Sequence, residues 1–390
     1  MKTMRVAIDA TCWHNNRGYG RHARALVSTL IRRYPENEYR LFLDSAGNTP
    51  DLAGHAKLEL VAADTPASSA ASSNGHRSLA DMWRMSRALS KARVDVLLYP
   101  TIYTYVPALT SARKLVMIHD VIAETYPNLT LPRRTARLFW KAKVALGRMQ
   151  ADALVTVSEF SREKIIEYFR VAPERVFVVS EAADPVFRIL EQPAMPASLR
   201  ALGIGSNRRI VVYVGGFSPH KNLEELMDAF SRIASLEQFA DCLLVLVGET
   251  RKEVFHSCLP ALRGKVDQAG LRERVVFPGY VSDEDLAKLL NLSAVLVLPS
   301  FMEGFGLPAV EAAACGCPVI ATKASPLPQL LEGGGIYIEP GSGQLEPAVE
   351  AVLASKEMRE RMRRAGAAAA QRLTWNAAAE QLMRVMQSFE

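Results

Sequence analysis

Residues 294–313 read AVLVLPSFMEGFGLPAVEAA. Ala294 to Leu298 is an uncharged run of mostly branched aliphatic residues, the composition of a strand buried on both faces. Gly304 and Gly306 then permit a tight turn, and Pro308 sits where the first turn of a helix tolerates a residue without an N–H. The segment is predicted as strand, turn and helix, the repeating unit of a parallel sheet. Such a turn presents backbone N–H groups at a helix N-terminus, a ready site for phosphate. Glu303 and Glu311 flank it, one in the turn and one in the first helical turn, where their carboxylates can accept hydrogen bonds from sugar hydroxyls. The plainer alternative is a solvated loop charge at Glu303 and a helix-dipole contact at Glu311.

Outward from this segment the same unit recurs. Strand-like runs begin at Val6 (VAIDAT), Tyr39 (YRLFLD), Asp95 (DVLLYP), Lys114 (KLVMIH), Asp152 (DALVTVS) and Arg175 (RVFVVS). Amphipathic stretches such as Tyr19 to Tyr34 and Pro132 to Gln150 lie between them. A stretch with Pro193 and Pro196 interrupts the pattern, after which RIVVYVGG from 209, CLLVLVGE from 242, RVVFPG from 274 and CPVIATK from 317 restart it. Alternation of this kind predicts an α/β chain with two Rossmann-like, doubly wound domains. The first spans 1–185, residues 186–207 are the linker, and the second spans 208–374. The C-terminal helix, 375–390, carries an apolar face (Ala378, Leu382, Val385, Met386) that packs back on the first domain. The length of 390 residues also asks for two cores rather than one.

Apolar residues make up 49% and charged residues 23%, a globular composition. No stretch approaches a membrane-spanning helix, and Met4 to Thr11 (MRVAIDAT) reads as a strand rather than a leader, so a cytoplasmic location is expected. The five cysteines are scattered and read as buried thiols, with no metal site. Residues 1–185 hold 26 Lys and Arg against 18 Asp and Glu, a net of +8, which leaves −2 of the total +6 for the remainder. The basic excess suits an anionic membrane face or a phosphorylated substrate. Arg133, Arg134, Arg137, Lys141, Lys143 and Arg148, with Leu138, Phe139, Trp140 and Val144, make one helix a candidate contact with the inner membrane face; a solvated basic face is the alternative. SSAASSNG at 68–75 reads as a surface loop.

Three further constellations carry possible chemistry. Val214 to Leu223 (VGGFSPHKNL) runs from a strand through Gly215, Gly216 and Ser218 to a helix, with Asn222 as its N-cap and Lys221 placed to neutralise a diphosphate. Ile118-His119-Asp120 ends an apolar strand, where open α/β sheets carry ligand contacts. In the first loop, Gly18, Gly20 and Ala23 match a G-x-G-x-x-A spacing. About seven residues separate the strand from Gly18, however, which excludes a dinucleotide fingerprint and reads instead as a flexible lid.

Taken together, G-G-x-x-P-x-K-N-L at 215–223, E-G-F-G-L-P-x-x-E-A at 303–312, T-V-S-E-F-S at 156–161 and I-H-D at 118–120 resemble the retaining glycosyltransferases of the GT-B fold, family 4. The resemblance implies two domains facing across a cleft. It also implies transfer of a hexose, mannose being favoured, from a nucleoside diphosphate sugar (GDP- or UDP-linked) to an acceptor hydroxyl. No cofactor and no metal are implied, the nucleotide sugar being a co-substrate, and there is no nucleic-acid partner. The acceptor is a glycan or a lipid-linked glycan, as in polysaccharide assembly.

Residue by residue, Lys221 meets the diphosphate and Glu311 the ribose. Glu303 meets the donor sugar with the backbone of Gly304, Phe305, Gly306 and Leu307. His119 meets the sugar from the first domain, Gly18 and Gly20 line the phosphate or acceptor side, Gly215, Gly216 and Ser218 shape the lysine loop, and Tyr280 and Val281 flank the base. Where many members carry an arginine ahead of the lysine, this chain has Gly216; His220 or Arg17 is then expected to replace it. A nucleotide-sugar 2-epimerase and a silent nucleotide-sugar-binding subunit are the alternatives.

Overall fold

The computed structural model describes all residues except 1–2, 16–17, 47–53, 55, 68–77, 206, 251–256 and 390. The surface loop expected at 68–75 and the candidate Arg17 therefore lie outside the described residues. The chain forms two compact units, one of residues 1–127, 131–181 and 374–390, the other of 128–130 and 182–373.

The first unit holds seven parallel strands: β1 (Arg5–Asp9), β2 (Glu38–Leu43), β3 (Ala56–Leu60), β4 (Val96–Tyr99), β5 (Arg113–Met117), β6 (Ala153–Thr156) and β7 (Val176–Val178). Their order is β3-β2-β1-β4-β5-β6-β7. Because side chains alternate along a strand, the inner strands β1, β2, β4, β5 and β6 feed two cores. Val6, Ile8, Leu41 and Leu98 pack under α1 (Gly18–Arg33) and the C-terminal helix Trp375–Gln387. Ala7, Leu97, Val116 and Leu154 pack under α2 (Leu79–Lys91), α3 (Arg134–Gln150) and α4 (Glu159–Phe169). Ser78 and Ser158 start α2 and α4 by accepting the N–H of Asp81 and Ser161.

The C-terminal helix is part of this unit. It buries Ala378, Leu382, Met383 and Met386 against Leu26, Val27 and Leu30 of α1, and Gln381 accepts the N–H of Ser180 at 2.8 Å. Truncating fully buried Leu382 to Ala would cost about 2–5 kcal/mol.

The second unit holds β8 (Arg209–Val214), β9 (Cys242–Val247), β10 (Val275–Gly279), β11 (Val295–Leu298), β12 (Val319–Thr322) and β13 (Gly335–Ile338), in the order β10-β9-β8-β11-β12-β13. Every pairing in both sheets is parallel. The helices α5 (Leu223–Ala234), α6 (Leu259–Gln268), α7 (Asp283–Leu292), α8 (Leu307–Ala314), α9 (Leu345–Ala354) and α10 (Lys356–Ala370) accompany them.

In each sheet the strand order reverses once, between β1 and β4 and between β8 and β11. That reversal opens a crevice beyond the carboxyl ends of the two strands. The loops that leave β8 and β11 are the two segments singled out in the sequence.

Residues 186–207, expected as a linker, lie inside the second unit. Phe187, Met195, Leu199 and Ile204 are buried, and Asn291 accepts the N–H of Leu190 at 2.9 Å. Proline content mimics a linker here, but the apolar residues between the prolines have a core to join. All five cysteines are free and buried. Burial pushes the Cys242 and Cys315 thiols up to about 11 and about 12.

Candidate active site

The loop after β8 begins with Gly215, where an added Cβ would stand 2.5 Å from Tyr213 Oη; that hydroxyl donates to the carbonyl of Gly216 at 2.6 Å. Ser218 is buried and starts a single 3₁₀ turn, Pro219–Lys221, by accepting the N–H of Lys221 at 2.9 Å. Asn222 then takes a left-handed conformation, φ 55°. It does not cap α5 through its side chain, as expected from sequence; its amide donates to the carbonyl of Pro299 at 3.2 Å and to Glu225. The N–H of Phe301 donates to the carbonyl of His220 at 3.0 Å. Two backbone-directed bonds thus tie the β8 loop to the β11 loop.

That tie brings Lys221 and Glu303 together. Lys221 Nζ stands 2.7 Å from Glu303 Oε1, with side-chain exposures of 19% and 9%. Ser300 Oγ donates to the same oxygen at 2.5 Å, and the N–H of Glu303 donates to the carbonyl of Ala324 at 3.0 Å. Ser300 is fully buried and was missed in the sequence, where a serine after a strand carries no signal. A carboxylate with a cation and a hydroxyl on one oxygen keeps its other oxygen for a ligand, and an ammonium has hydrogens to spare.

The turn closes at Gly306, φ 84°, where a Cβ would meet Leu327 Cδ1 at 2.8 Å. Phe305 is buried, and α8 starts at Leu307 with Pro308 in its first turn, as expected. Glu311 is the fifth residue of α8, one turn deeper than expected, and is 1% exposed. A buried carboxylate beyond the first turn is not there to complement the helix dipole. Tyr280 and Val281 follow the edge strand β10; Tyr280 is 63% exposed, and Val281 is buried.

His220 does not supply the missing cation. Burial, then the neighbouring Lys221, push its imidazole down to about 3, so it is neutral near pH 7.

In the first unit the loop after β1 is not lid-like over its described part. Ala10, Thr11, Cys12, Trp13 and Asn15 are buried, and Arg24 donates to the carbonyls of Trp13 and Asn15. A Cβ on Gly20 would lie 2.0 Å from Asn15 O. What Gly20 admits is therefore the protein's own loop, whereas Gly18 has open space around it.

His119 follows β5. Burial, then His22, hold its imidazole well below the usual histidine range. Both of its ring nitrogens are buried without a hydrogen-bond partner among the described residues. Its ring meets that of His22 edge-on, centroids 5.0 Å apart and planes at 80°. His22 Nδ1 in turn lies 2.8 Å from Glu181 Oε1. Neither His22 nor Glu181 stood out in the sequence, because α1 and the segment after β7 are far apart along the chain. The ligand atoms of the three residues fall within 4.8 Å of one another.

The description "Glycosyl transferases group 1" matches residues 195–369, and "Glycosyltransferase Family 4" matches residues 17–187. The chain belongs to these glycosyltransferases. The family 4 segment falls almost wholly in the first unit and the group 1 segment in the second, which carries Lys221, Glu303 and Glu311.

The mannosyltransferase WbdA of Escherichia coli is 29% identical over 215 residues, 55% of this chain and 26% of WbdA. The O-antigen chain mannosyltransferase B of Escherichia coli is 28% identical, over 58% of each chain. A D-inositol 3-phosphate glycosyltransferase of Segniliparus rotundus is 27% identical over 71% of this chain and 60% of its own. Each match spans less than two thirds of the relative's length.

Among solved structures, sucrose-phosphate synthase of Thermosynechococcus elongatus superposes with a TM-score of 0.75 at 19% identity, covering 99% of both chains. Anabaena HepE in complex with UDP and glucose gives 0.72 at 19% identity, covering 99% of this chain and 100% of its own. The glycosyltransferase thus has the GT-B fold.

Proposed function

We propose that this glycosyltransferase moves a hexose, mannose being favoured, from a nucleoside diphosphate sugar to the hydroxyl of a glycan or lipid-linked acceptor, with retention and without a metal. The observation that carries the reading is the Lys221–Glu303 pair at 2.7 Å, set between two loops at the strand-order reversal of the second unit. Departure of a nucleoside diphosphate builds negative charge on its phosphate oxygens. A fixed ammonium and the first-turn amides of α8 answer that charge without reorganising. Glu303 is the partner of a donor-sugar hydroxyl and Glu311 of the ribose. His119, uncharged, is a hydrogen-bond partner for a sugar hydroxyl rather than a phosphate clamp. The preference for mannose rests on the two mannosyltransferase relatives.

The lipid-linked acceptor is supported by α3. Its Arg137 and Lys143 side chains turn to backbone carbonyls of Leu131 and Tyr103, and Arg148 lies over the Phe169 ring. Leu138 (71%) and Met149 (80%), with Phe139 and Leu146, form an exposed apolar stripe beside exposed Arg134 and Lys141. A stripe of this kind suits a peripheral contact with an anionic bilayer. Among the described residues no helix is long and apolar enough to cross one.

The test is transfer from GDP-mannose, UDP-glucose, UDP-galactose and UDP-N-acetylglucosamine in the presence of EDTA, with the anomeric configuration of the product read by NMR. Acceptor-dependent release of one nucleoside diphosphate with an axial product supports the reading. Release that needs no acceptor, or that stops in EDTA, contradicts it.

A further inference from the structure

Within the second unit, β8 carries a polar side chain in its core. Tyr213 is fully buried, and a buried hydroxyl costs free energy unless it finds a partner. Its partner lies outside the sheet, in the loop three residues on, where Tyr213 Oη donates to the carbonyl of Gly216 at 2.6 Å. Gly215 leaves the space this contact occupies, since a Cβ there would stand 2.5 Å from the same oxygen. Burial, then Glu303 and Cys258, hold the phenol well above its usual range, so the hydroxyl keeps its proton and stays a donor. The influence of Glu303 also puts the hydroxyl within electrostatic reach of the Lys221–Glu303 pair.

A trans peptide carries its C=O and N–H on opposite sides. With the Gly216 carbonyl turned inward to Tyr213, the N–H of Phe217 is turned away from the core. The rest of the loop is held as well. The Phe217 carbonyl accepts from the N–H of Cys258 at 2.8 Å, and the buried Phe217 ring lies 6.4 Å from that of Tyr213 and 6.1 Å from that of Phe277, centroid to centroid. Gly248 packs against one flank so closely that a Cβ there would meet Gly215 O at 2.1 Å. The side left open is that of Gly216, where an added Cβ has nothing within 4 Å. The Phe217 N–H donates to no acceptor among the described residues. A backbone donor held this way is satisfied by water or by a ligand.

We propose that Tyr213 is a positioning residue for the nucleoside diphosphate, which through the Gly216 carbonyl holds the Phe217 N–H outward as a phosphate donor additional to Lys221. The amide then does the work of the cation that position 216 lacks and that neutral His220 does not supply. This rests on the reading of the second unit as a nucleoside diphosphate site.

The experiment uses the full chain labelled with ¹⁵N-phenylalanine, the Phe217 amide signal being assigned by its loss in Phe217→Leu. GDP, UDP and ADP are titrated into wild type, and the nucleotide that binds is compared with its own nucleoside. The diphosphate is expected to move the Phe217 amide proton downfield, and the nucleoside to leave it in place. Tyr213→Phe keeps the ring and removes the hydroxyl. Its affinity for the diphosphate should fall about three- to tenfold, the scale of one hydrogen bond, while its affinity for the nucleoside stays within about twofold of wild type.

A nucleoside diphosphate that binds wild type and leaves the Phe217 amide unmoved overturns the proposal, whether or not the variant folds. So does folded Tyr213→Phe that binds the diphosphate as wild type does, or that loses diphosphate and nucleoside alike, as a merely structural tyrosine would. Wild type that binds none of the three nucleotides sinks the nucleoside diphosphate reading itself, and the titration of wild type tells the two failures apart.

Discussion

Lys221 and Glu303 are 82 positions apart in sequence and 2.7 Å apart in space. Their contact joins the loops that leave β8 and β11, and Ser300 secures its carboxylate end. Before a ligand arrives the ammonium is thus already located, and its entropy of ordering is spent in folding rather than in binding.

Removing one member leaves the other charged in a partly buried site. Lys221→Met should lower stability by about 1–3 kcal/mol, and Lys221→Met with Glu303→Gln should cost less than the sum of the single changes. Urea unfolding of the four proteins measures this. Donor kcat/KM should fall by about a hundredfold or more in Lys221→Met, the scale of losing one preorganised contact to developing charge. Strict additivity would show that the pair is not coupled.

The two glycines of the first loop should behave oppositely. In Gly20→Ala the new methyl would meet Asn15 O at 2.0 Å, backbone that cannot swing away, so a loss of roughly 1–3 kcal/mol or more is expected. Gly18→Ala opens α1 into free space and should be neutral or stabilising by up to about 1 kcal/mol. Thermal unfolding decides. Equal loss of nucleotide binding without loss of stability would instead make both glycines ligand contacts.

Burial raises the Glu124 carboxyl to about 7, against the hydrogen bond donated by Trp140 Nε1 at 2.7 Å. Its folded form prefers the proton, so its stabilising contribution is complete below the unfolded value near 4.5 and is lost as pH rises through 7. Glu124→Gln keeps the shape and removes the titration. The variant should match wild type at pH 4 and exceed it at pH 8 by about 1–3 kcal/mol, partial exposure holding the gain below the full shift. Parallel pH–stability curves for the two proteins would contradict this.

On α3, Leu138→Glu with Met149→Glu should abolish sedimentation with phosphatidylglycerol vesicles, and Arg134→Glu with Lys141→Glu should weaken it in a salt-dependent way. Soluble nucleotide binding should not change. Unaltered vesicle association in both variants would remove the membrane contact.

Much of this was legible in the sequence because parallel strands buried on both faces announce themselves as continuous aliphatic runs. VYVGGFSPHKNL and LVLPSFMEGFGLP mark their own turns with Gly and Pro, so the two loops of the second unit could be placed before any geometry was known. The edge strands β3 (AKLEL) and β13 (GIYI) could not. The first has an exposed pattern, and the second is only partly buried, so neither carries a full aliphatic signature. The 186–207 segment misleads for the converse reason, since its prolines break regular elements without breaking the core. Glu181, His22 and Ser300 were silent because their chemistry arises from neighbours brought together by the crossovers. His220 read as a cation only so long as its burial was unknown.

The central claim is that the second unit holds a nucleoside diphosphate sugar through Lys221 and Glu311. Calorimetric titration of GDP, UDP and ADP into wild type and Glu311→Ala, in EDTA, tests it most directly. Wild type is expected to bind one nucleotide saturably, and the variant to lose at least about tenfold in affinity, near 1.4 kcal/mol. Folded wild-type protein that binds none of the three, or a Glu311→Ala variant that binds as wild type does, would contradict it.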